Sequence, residues 1–397
     1  MPAVYFDHNA TTPVRPEVLE AMLPYYQNGY GNASSLHAQG RAARQALEDS
    51  RRKIAAVLNC EPAEIVFTGS GTEADNHAIK GVFFANGAGR PGLVTSKIEH
   101  HAVLHSFEYL EKHHGAKPVY IGVDSEGRLD LEALKQAVTP ETSLVSVMHA
   151  NNEVGTIQPL AEIADICHSQ NAYFHTDAIQ TFGKLETDVK KLGVDLLSIS
   201  GHKIYAPKGV GALYIKKGTK LHSLIHGGGH ERNRRAGTEN VAGIVALARA
   251  AELAAGERES QVLKLSGLRE RLWQGLQKNI THIRRNGSLT QGLPGTLNIS
   301  FEFIEGESIL LSLDIKGIAS SSGSACTSGS LEPSHVLAAM GVPTETAQGS
   351  VRFSLGRENT EQEVDYVIAE LPAMISRLRQ MSPIAPKESC QINGKSS

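Results

Sequence analysis

Long hydrophobic runs are missing from this sequence: nowhere do about 18 apolar residues follow one another, so no membrane-spanning helix is expected. Cysteine is scarce. Its four positions, Cys60, Cys167, Cys326 and Cys390, are scattered without C-x-x-C spacing, which argues against a zinc site and against a disulfide framework. Aromatic residues are few, at 10 Phe, 10 Tyr and 1 Trp, and neither sign of charge dominates. With 39 Lys plus Arg facing 42 Asp plus Glu, a formal charge of -3, the chain has no electrostatic footprint for nucleic acid or an anionic membrane. Small polar molecules remain the expected partners. The opening MPAVYFDHNATTP has neither the basic region nor the apolar core of a secretion signal, so a cytoplasmic location is expected.

Glycine, by contrast, is plentiful at 38 residues, and many tight loops are implied. Short apolar runs alternate with helical periodicity throughout residues 64 to 215, which predicts an α/β fold with a mostly parallel sheet covered on both faces. A first helix is expected over Pro13 to Tyr26 with Thr12 as N-cap, and a long amphipathic one carrying Ala43, Leu47, Ile54 and Leu58. After Val210 to Ile215 the pattern changes to HGGGHERNRRAGTEN, followed by an alanine-rich helix for which Thr238 is the expected cap. From about Arg258 a smaller α+β domain is expected, with strands Thr296 to Phe301 and Ser350 to Ser354. The expected division is a large domain over 15–257, a small domain made of 1–14 and 258–382, and a disordered tail over 383–397.

The chain is organised around AYFHTDAIQTFGKLETDVKKLGVDLLSISGHKIYAP, where one apolar strand is expected to end at Asp177 and the next at Ser200-Gly201-His202-Lys203. Burying a lone carboxylate and a lone lysine uncompensated costs several kcal/mol each, so a shared ligand is the simplest joint account. Pyridoxal phosphate fits both residues. Its aldehyde takes a lysine amine as a Schiff base, and its ring nitrogen needs an acid partner to stay protonated. The bland alternative is that Asp177 caps a turn and Lys203 is solvated.

Other motifs gather around this pair. A strand ending at Thr68 runs into GSGTEADN and then a helix, a phosphate cradle in which Gly71 and Thr72 donate. The same residues match the dinucleotide pattern G-x-G-x-x-A, but the next strand, LVTSK, supplies no acid for the ribose, and no Gly-Lys-Ser/Thr is present for a Walker loop. His100 and His101 follow that strand, either stacking on a ring or simply opening a helix. Asn152, in NNEVG, stands ready for a ring hydroxyl or a carboxylate. Asn32 lies in the polar loop YGNASSLH, which also reads as a capped surface turn. The arginines of the glycine-rich loop are either a solvated face or a reach across a subunit interface. Cys326 sits in SSSGSACTSGS, a composition too polar to stay firmly ordered, where it is either an exposed nucleophile or an unreactive accident. Arg352, in the apolar strand VRFSL, needs an anion, and its planar fork suits a carboxylate.

Taken together, DHNATTP, YGNASSLH, GSGTEADN, EHHAV, NNEVGT, FHTDAIQ, SGHKIYAPKG, GGGHERNRRAGTEN, SSGSACTSGSLEPSHV and VRFSLGR closely resemble the pyridoxal-phosphate cysteine desulfurases of the class V aminotransferase group, in order along nearly the whole chain. The wording FEFIEGESILL and ACTSGSLEPSHVLAAMG looks most like the NifS-type, nitrogen-fixation branch; the housekeeping iron–sulfur and tRNA-thiolation branches are the alternative. The resemblance implies fold-type I, with a seven-stranded sheet and a homodimer sharing its active sites. It implies that Lys203 bonds to the cofactor aldehyde, Asp177 pairs with the ring nitrogen, His100 stacks and Gln180 bonds the phenolic oxygen. Gly71, Thr72, Ser200 and His202 would hold the phosphate, joined by Thr238 of the other subunit. Asn32, Asn152 and Arg352 would bind the carboxylate of L-cysteine, and Cys326 would take its sulfur, leaving L-alanine and a persulfide for an iron–sulfur scaffold protein. An aminotransferase, which needs no nucleophilic cysteine, and a non-enzymatic sulfur or iron scaffold, which needs no Lys203, are the rivals from other classes.

Overall fold

The computed structural model describes residues 3–322 and 333–386; Cys326 with its serine-rich segment, and Cys390 in the tail, lie outside the described residues. Seven strands form the main sheet in the order Ile65–Thr68, Gly211–Ile215, Leu196–Ser200, Tyr173–Asp177, Thr142–Ser146, Gly92–Ser96, Lys117–Ile121. Only Gly211–Ile215 runs antiparallel to its neighbours. Successive residues of each strand supply opposite faces. Ile65, Phe67, Val145, Leu197 and Ile199 join the core under helices Ala38–Leu58, Leu160–Ser169 and the first half of Val241–Asn279, while Val66, Leu93, Leu144, Leu196 and Leu213 pack on helices Gly71–Asn86 and His101–His114. Two covered faces explain why the strands read as continuous apolar runs.

The helix Val241–Asn279, 39 residues long, passes from one core to the other. Its Ala242–Ala251 stretch packs in the main core, and Leu268, Leu272, Trp273 and Leu276 pack in a second core with Leu297, Ile299, Val351, Val364 and Leu371. That second core rests on a three-stranded antiparallel sheet with Thr296–Phe301 in the middle. The N-terminal residues Val4–Tyr5 pair in parallel with Ile318–Ala319 beside it.

Two expectations about helix starts need correction. The first helical segment is split into Pro16–Met22 and Pro24–Gln27, because each proline lacks an N–H and suits a first helical turn rather than an interior. Arg15 flanks the first of them, and Thr12 instead donates from Oγ1 to the His202 carbonyl (2.9 Å) and accepts from the Tyr205 N–H (2.8 Å). The cap of the long helix is Asn240, whose side chain accepts from the Gly243 N–H at 3.0 Å, and not Thr238.

Candidate active site

Four parallel strands, ending at Ser96, Ser146, Asp177 and Ser200, deliver their C-terminal ends to one side of the sheet, where a cavity of 290 Å³ opens. Gly71, Thr72, His100, Asn152, Asp177, Gln180, Ser200, His202, Lys203 and Arg352 all line it. Residues separated by up to 281 positions, from Gly71 to Arg352, are therefore brought into one concavity.

Asp177 is buried, its Oδ1 accepting from the Ile179 N–H at 2.8 Å. Desolvation raises its carboxyl, while that N–H and the Lys203 charge pull the other way. Close by lies Asp75, fully buried, with its carboxyl raised well above the usual range by burial and by the Asp177 charge. His175 bridges this layer: Nδ1 lies 2.8 Å from Ser146 Oγ, and Nε2 lies 3.0 Å from Ser198 Oγ and 3.7 Å from Asp75 Oδ1. Burial holds the His175 ring neutral, with its pKa at about 3. Two carboxyls in a desolvated place cannot both ionise cheaply, so a cationic ring nitrogen is a chemically apt partner for Asp177. Asp75 and His175 escaped the sequence reading. The available signal was alternation, since His175 and Asp177 share a strand face two residues apart.

Lys203 ends the short turn Gly201–Lys203 and donates from Nζ to the carbonyls of Asn9 (2.6 Å) and Ala10 (2.8 Å). Across the cavity the 16-residue helix Gly71–Asn86 begins, with Ser70 Oγ accepting from the Glu73 N–H. The first-turn N–H groups of Gly71 and Thr72 have no intrahelical acceptor, which makes this end a phosphate cradle. A Cβ on Gly71 would stand 2.2 Å from Ile179 Cδ1, so any larger residue there would have to displace the Ile179 side chain.

His100 does both things that the sequence left open. It flanks the helix His101–His114, its Nδ1 accepting from the Ala102 N–H at 3.1 Å, and it lines the cavity. Burial first, then the Lys203 charge, lowers it to about 4, so a neutral ring with Nδ1 as acceptor faces the site. His202 is likewise lowered to about 4 by burial and Lys203. Arg352, nearly inaccessible, donates to the Asn152 carbonyl (3.0 Å) and to Asp7 Oδ1 (2.9 Å), while its Nε finds no partner among the described residues. Arg352 lines the cavity, and a guanidinium there is suited to a carboxylate. The donor set thus fits pyridoxal phosphate: a lysine, a buried acid, a flat neutral imidazole and a helix N-terminus lie around one space.

Asn32 and Thr238 are not brought in. Both are exposed and lie outside the cavity, the Asn32 Oδ1 accepting from the Ser34 N–H at 2.9 Å. Cys60 is partly buried and pushed up to about 12 by burial and by Glu64 and Glu61; Cys167 is fully buried and raised further. Neither thiol is readily ionised near neutral pH. Among the described residues no cluster of His, Cys, Asp and Glu is arranged to hold a metal ion, and no helix is long and apolar enough to cross a membrane.

Comparison with known proteins agrees with this geometry. The chain is 53% identical over 386 residues to the cysteine desulfurase IscS of Methanosarcina thermophila, covering 97% of this chain and 95% of that one. It is 51% identical over 383 residues to the cysteine desulfurase IscS of Clostridium botulinum, covering 96% of each. A solved NifS-like protein superposes with a TM-score of 0.90 at 42% identity, over 95% of this chain and 100% of that one. The family model for class-V aminotransferases matches residues 4–367, and the chain is accordingly an enzyme of the class-V aminotransferase family, with the pyridoxal-phosphate fold of type I.

Proposed function

We propose that this enzyme is a cysteine desulfurase, converting L-cysteine to L-alanine and passing the sulfur through a persulfide on Cys326. The observation that carries this is the convergence of Lys203, Asp177, His100 and Arg352 on one cavity, with full-length similarity to proteins named cysteine desulfurase. Pyridoxal phosphate, bound there, supplies an aldehyde for the substrate amine and a ring that takes up electrons. Lys203 Nζ would hold that aldehyde and is the amine placed in the cavity to accept the substrate's α-proton. Asp177 keeps a proton on the ring nitrogen, His100 stacks, and Gln180 donates to the phenolic oxygen. The N–H groups of Gly71 and Thr72, with Ser200 and His202, hold the phosphate. Arg352 and Asn152 orient the substrate carboxylate, and Cys326 Sγ accepts the substrate sulfur.

The homodimer is part of this proposal, because Asn32 and Thr238 lie outside the cavity of their own chain and complete the site only if a second subunit presents them or a loop moves. The enzyme acts in the cytoplasm and gives its sulfur to an iron–sulfur scaffold protein. Nitrogenase maturation is the destination favoured by the FEFIEGESILL and ACTSGSLEPSHVLAAMG segments; the relatives named IscS favour a housekeeping one. The test is direct. Purified enzyme should show the visible absorption of bound cofactor, fix it to Lys203 on borohydride treatment, and release alanine and sulfide one for one from L-cysteine with a thiol reductant. Alanine-free transamination would select the aminotransferase rival instead.

A further inference from the structure

Four residues after Gln180, Lys184 directs its Nζ to Gln180 Oε1 at 3.1 Å. The same amide donates from Nε2 to the Asn9 carbonyl at 2.9 Å, and that carbonyl also accepts from Lys203 Nζ at 2.6 Å. Lys184, Gln180, the Asn9 carbonyl and Lys203 thus form one hydrogen-bonded chain. A glutamine amide can present either end, oxygen or NH2, to its surroundings. An ammonium only donates, so with Lys184 on one side the oxygen of Gln180 must face it, and the NH2 must face the Asn9 carbonyl and the cavity. Lys184 itself does not line the 290 Å³ cavity, as Gln180 does; it borders a separate 70 Å³ pocket along with Gly183, Ala254 and Leu293. Whatever it does for the active site, it does through its neighbour.

We propose that Lys184 is a positioning residue that locks the Gln180 amide with its NH2 toward the cavity, so that the site offers the ligand's phenolic oxygen a donor and never an acceptor. This rests on the assignment of pyridoxal phosphate to the cavity. The charges around Lys184 are Lys203 and Arg352, which together with burial bring it down to about 7, and it in turn helps keep His8 and His202 neutral. Lys184 is therefore poised to lose its charge, and with it part of the lock, as pH rises past neutrality.

The experiment is a pH titration of the cofactor's visible band in the holoenzyme, together with cofactor affinity, for wild type, Lys184→Met, Lys184→Gln, Lys184→Arg, Gln180→Ala and the Lys184→Met/Gln180→Ala double variant. A donor lost from the phenolic oxygen disfavours its anionic form, so Lys184→Met should move the spectral midpoint upward by about half a unit to one unit, a roughly three- to tenfold change in the protonation constant. Lys184→Gln, able to donate or accept, should fall between, and Lys184→Arg should restore the wild-type midpoint. The double variant should shift no further than Gln180→Ala alone, since the lysine acts only through the amide. A Lys184→Met midpoint equal to wild type, or a double variant that adds the two shifts, overturns the inference; if Lys184→Met does not fold, an unshifted Lys184→Gln overturns it equally. A wild-type enzyme with no cofactor band overturns the cofactor assignment instead, and so the two failures are distinguishable.

Discussion

Asp177 and Lys203 stand at the ends of neighbouring strands, 26 positions apart in sequence yet lining one cavity, whereas Asn32 and Thr238 lie on exposed segments that no strand fixes. In the first region, sheet register alone decides where a side chain goes: His175 pairs with Leu196 and Asp177 with Ser198, so every residue beyond those ends is delivered to the same edge. In the second, position depends on what the loops meet. The glycine–arginine loop is tied to its own chain by Arg235 on Glu73 (2.8 Å) and by the buried pair of Glu231 with Arg51 (2.8 Å), while Thr238, between these and the Asn240 cap, stays exposed. The lesson is that strand ends alone gather Lys203, Asp177 and their neighbours around one cavity, whereas residues on exposed loops, Asn32 and Thr238, stand outside it.

The comparison breaks first at the strand ends. Lys203→Ala should abolish turnover and the borohydride-fixed adduct while leaving the melting temperature nearly unchanged, and Asp177→Asn should still bind cofactor but lose two to four orders of magnitude in kcat. Near-normal turnover by either would remove that residue from its role. The loops should yield a smaller, conditional effect. Mixing a Thr238→Val variant with Lys203→Ala should restore activity to about a quarter of the sites, since half of the randomly formed dimers are hybrids with one wholly wild-type site each. No recovery on mixing, together with an active monomer in sedimentation, would assign Thr238 to no shared site. The smallest effect concerns stability. His8, His77, His149 and His175 are buried and held at about 4, 4, 4 and 3 by desolvation, below the ordinary histidine value near 6.5. The unfolded chain binds protons that the folded one refuses, so stability present above pH 6.5 should fall as the pH drops from there toward 4. Urea midpoints that stay level between pH 6.5 and 4.5 would contradict this.

Much of the fold was legible because burial writes itself into sequence as short apolar runs: Thr296–Phe301 and Ser350–Ser354 carry the same bounds in the structure as in the pattern, and two neighbouring strands end at Asp177 and Ser200 as expected. Helix starts were read less well. Thr12 and Thr238 are each good capping residues, but capping is settled by which residue's backbone stays extended ahead of the first turn, and Pro16 and Asn240 decided that locally. At the site, strand-end chemistry was visible in Asp177 and Lys203, whereas Asp75, His175 and Lys184 were not. Their significance lies in contacts across strands and turns, such as His175 with Ser146 and Ser198, that no spacing along the chain announces.

The central claim is that sulfur leaves this cavity on Cys326 and on no other thiol. Wild-type enzyme incubated with L-cysteine, alkylated and digested should carry the extra sulfur on the peptide containing Cys326, and Cys326→Ser should keep the cofactor's spectral response to cysteine while desulfuration collapses. Cys60, desolvated to about 12, and Cys167, raised further, should tolerate alanine with activity largely kept. Extra sulfur found chiefly on another cysteine, or full sulfide release by Cys326→Ser, would contradict the account and reopen the aminotransferase alternative.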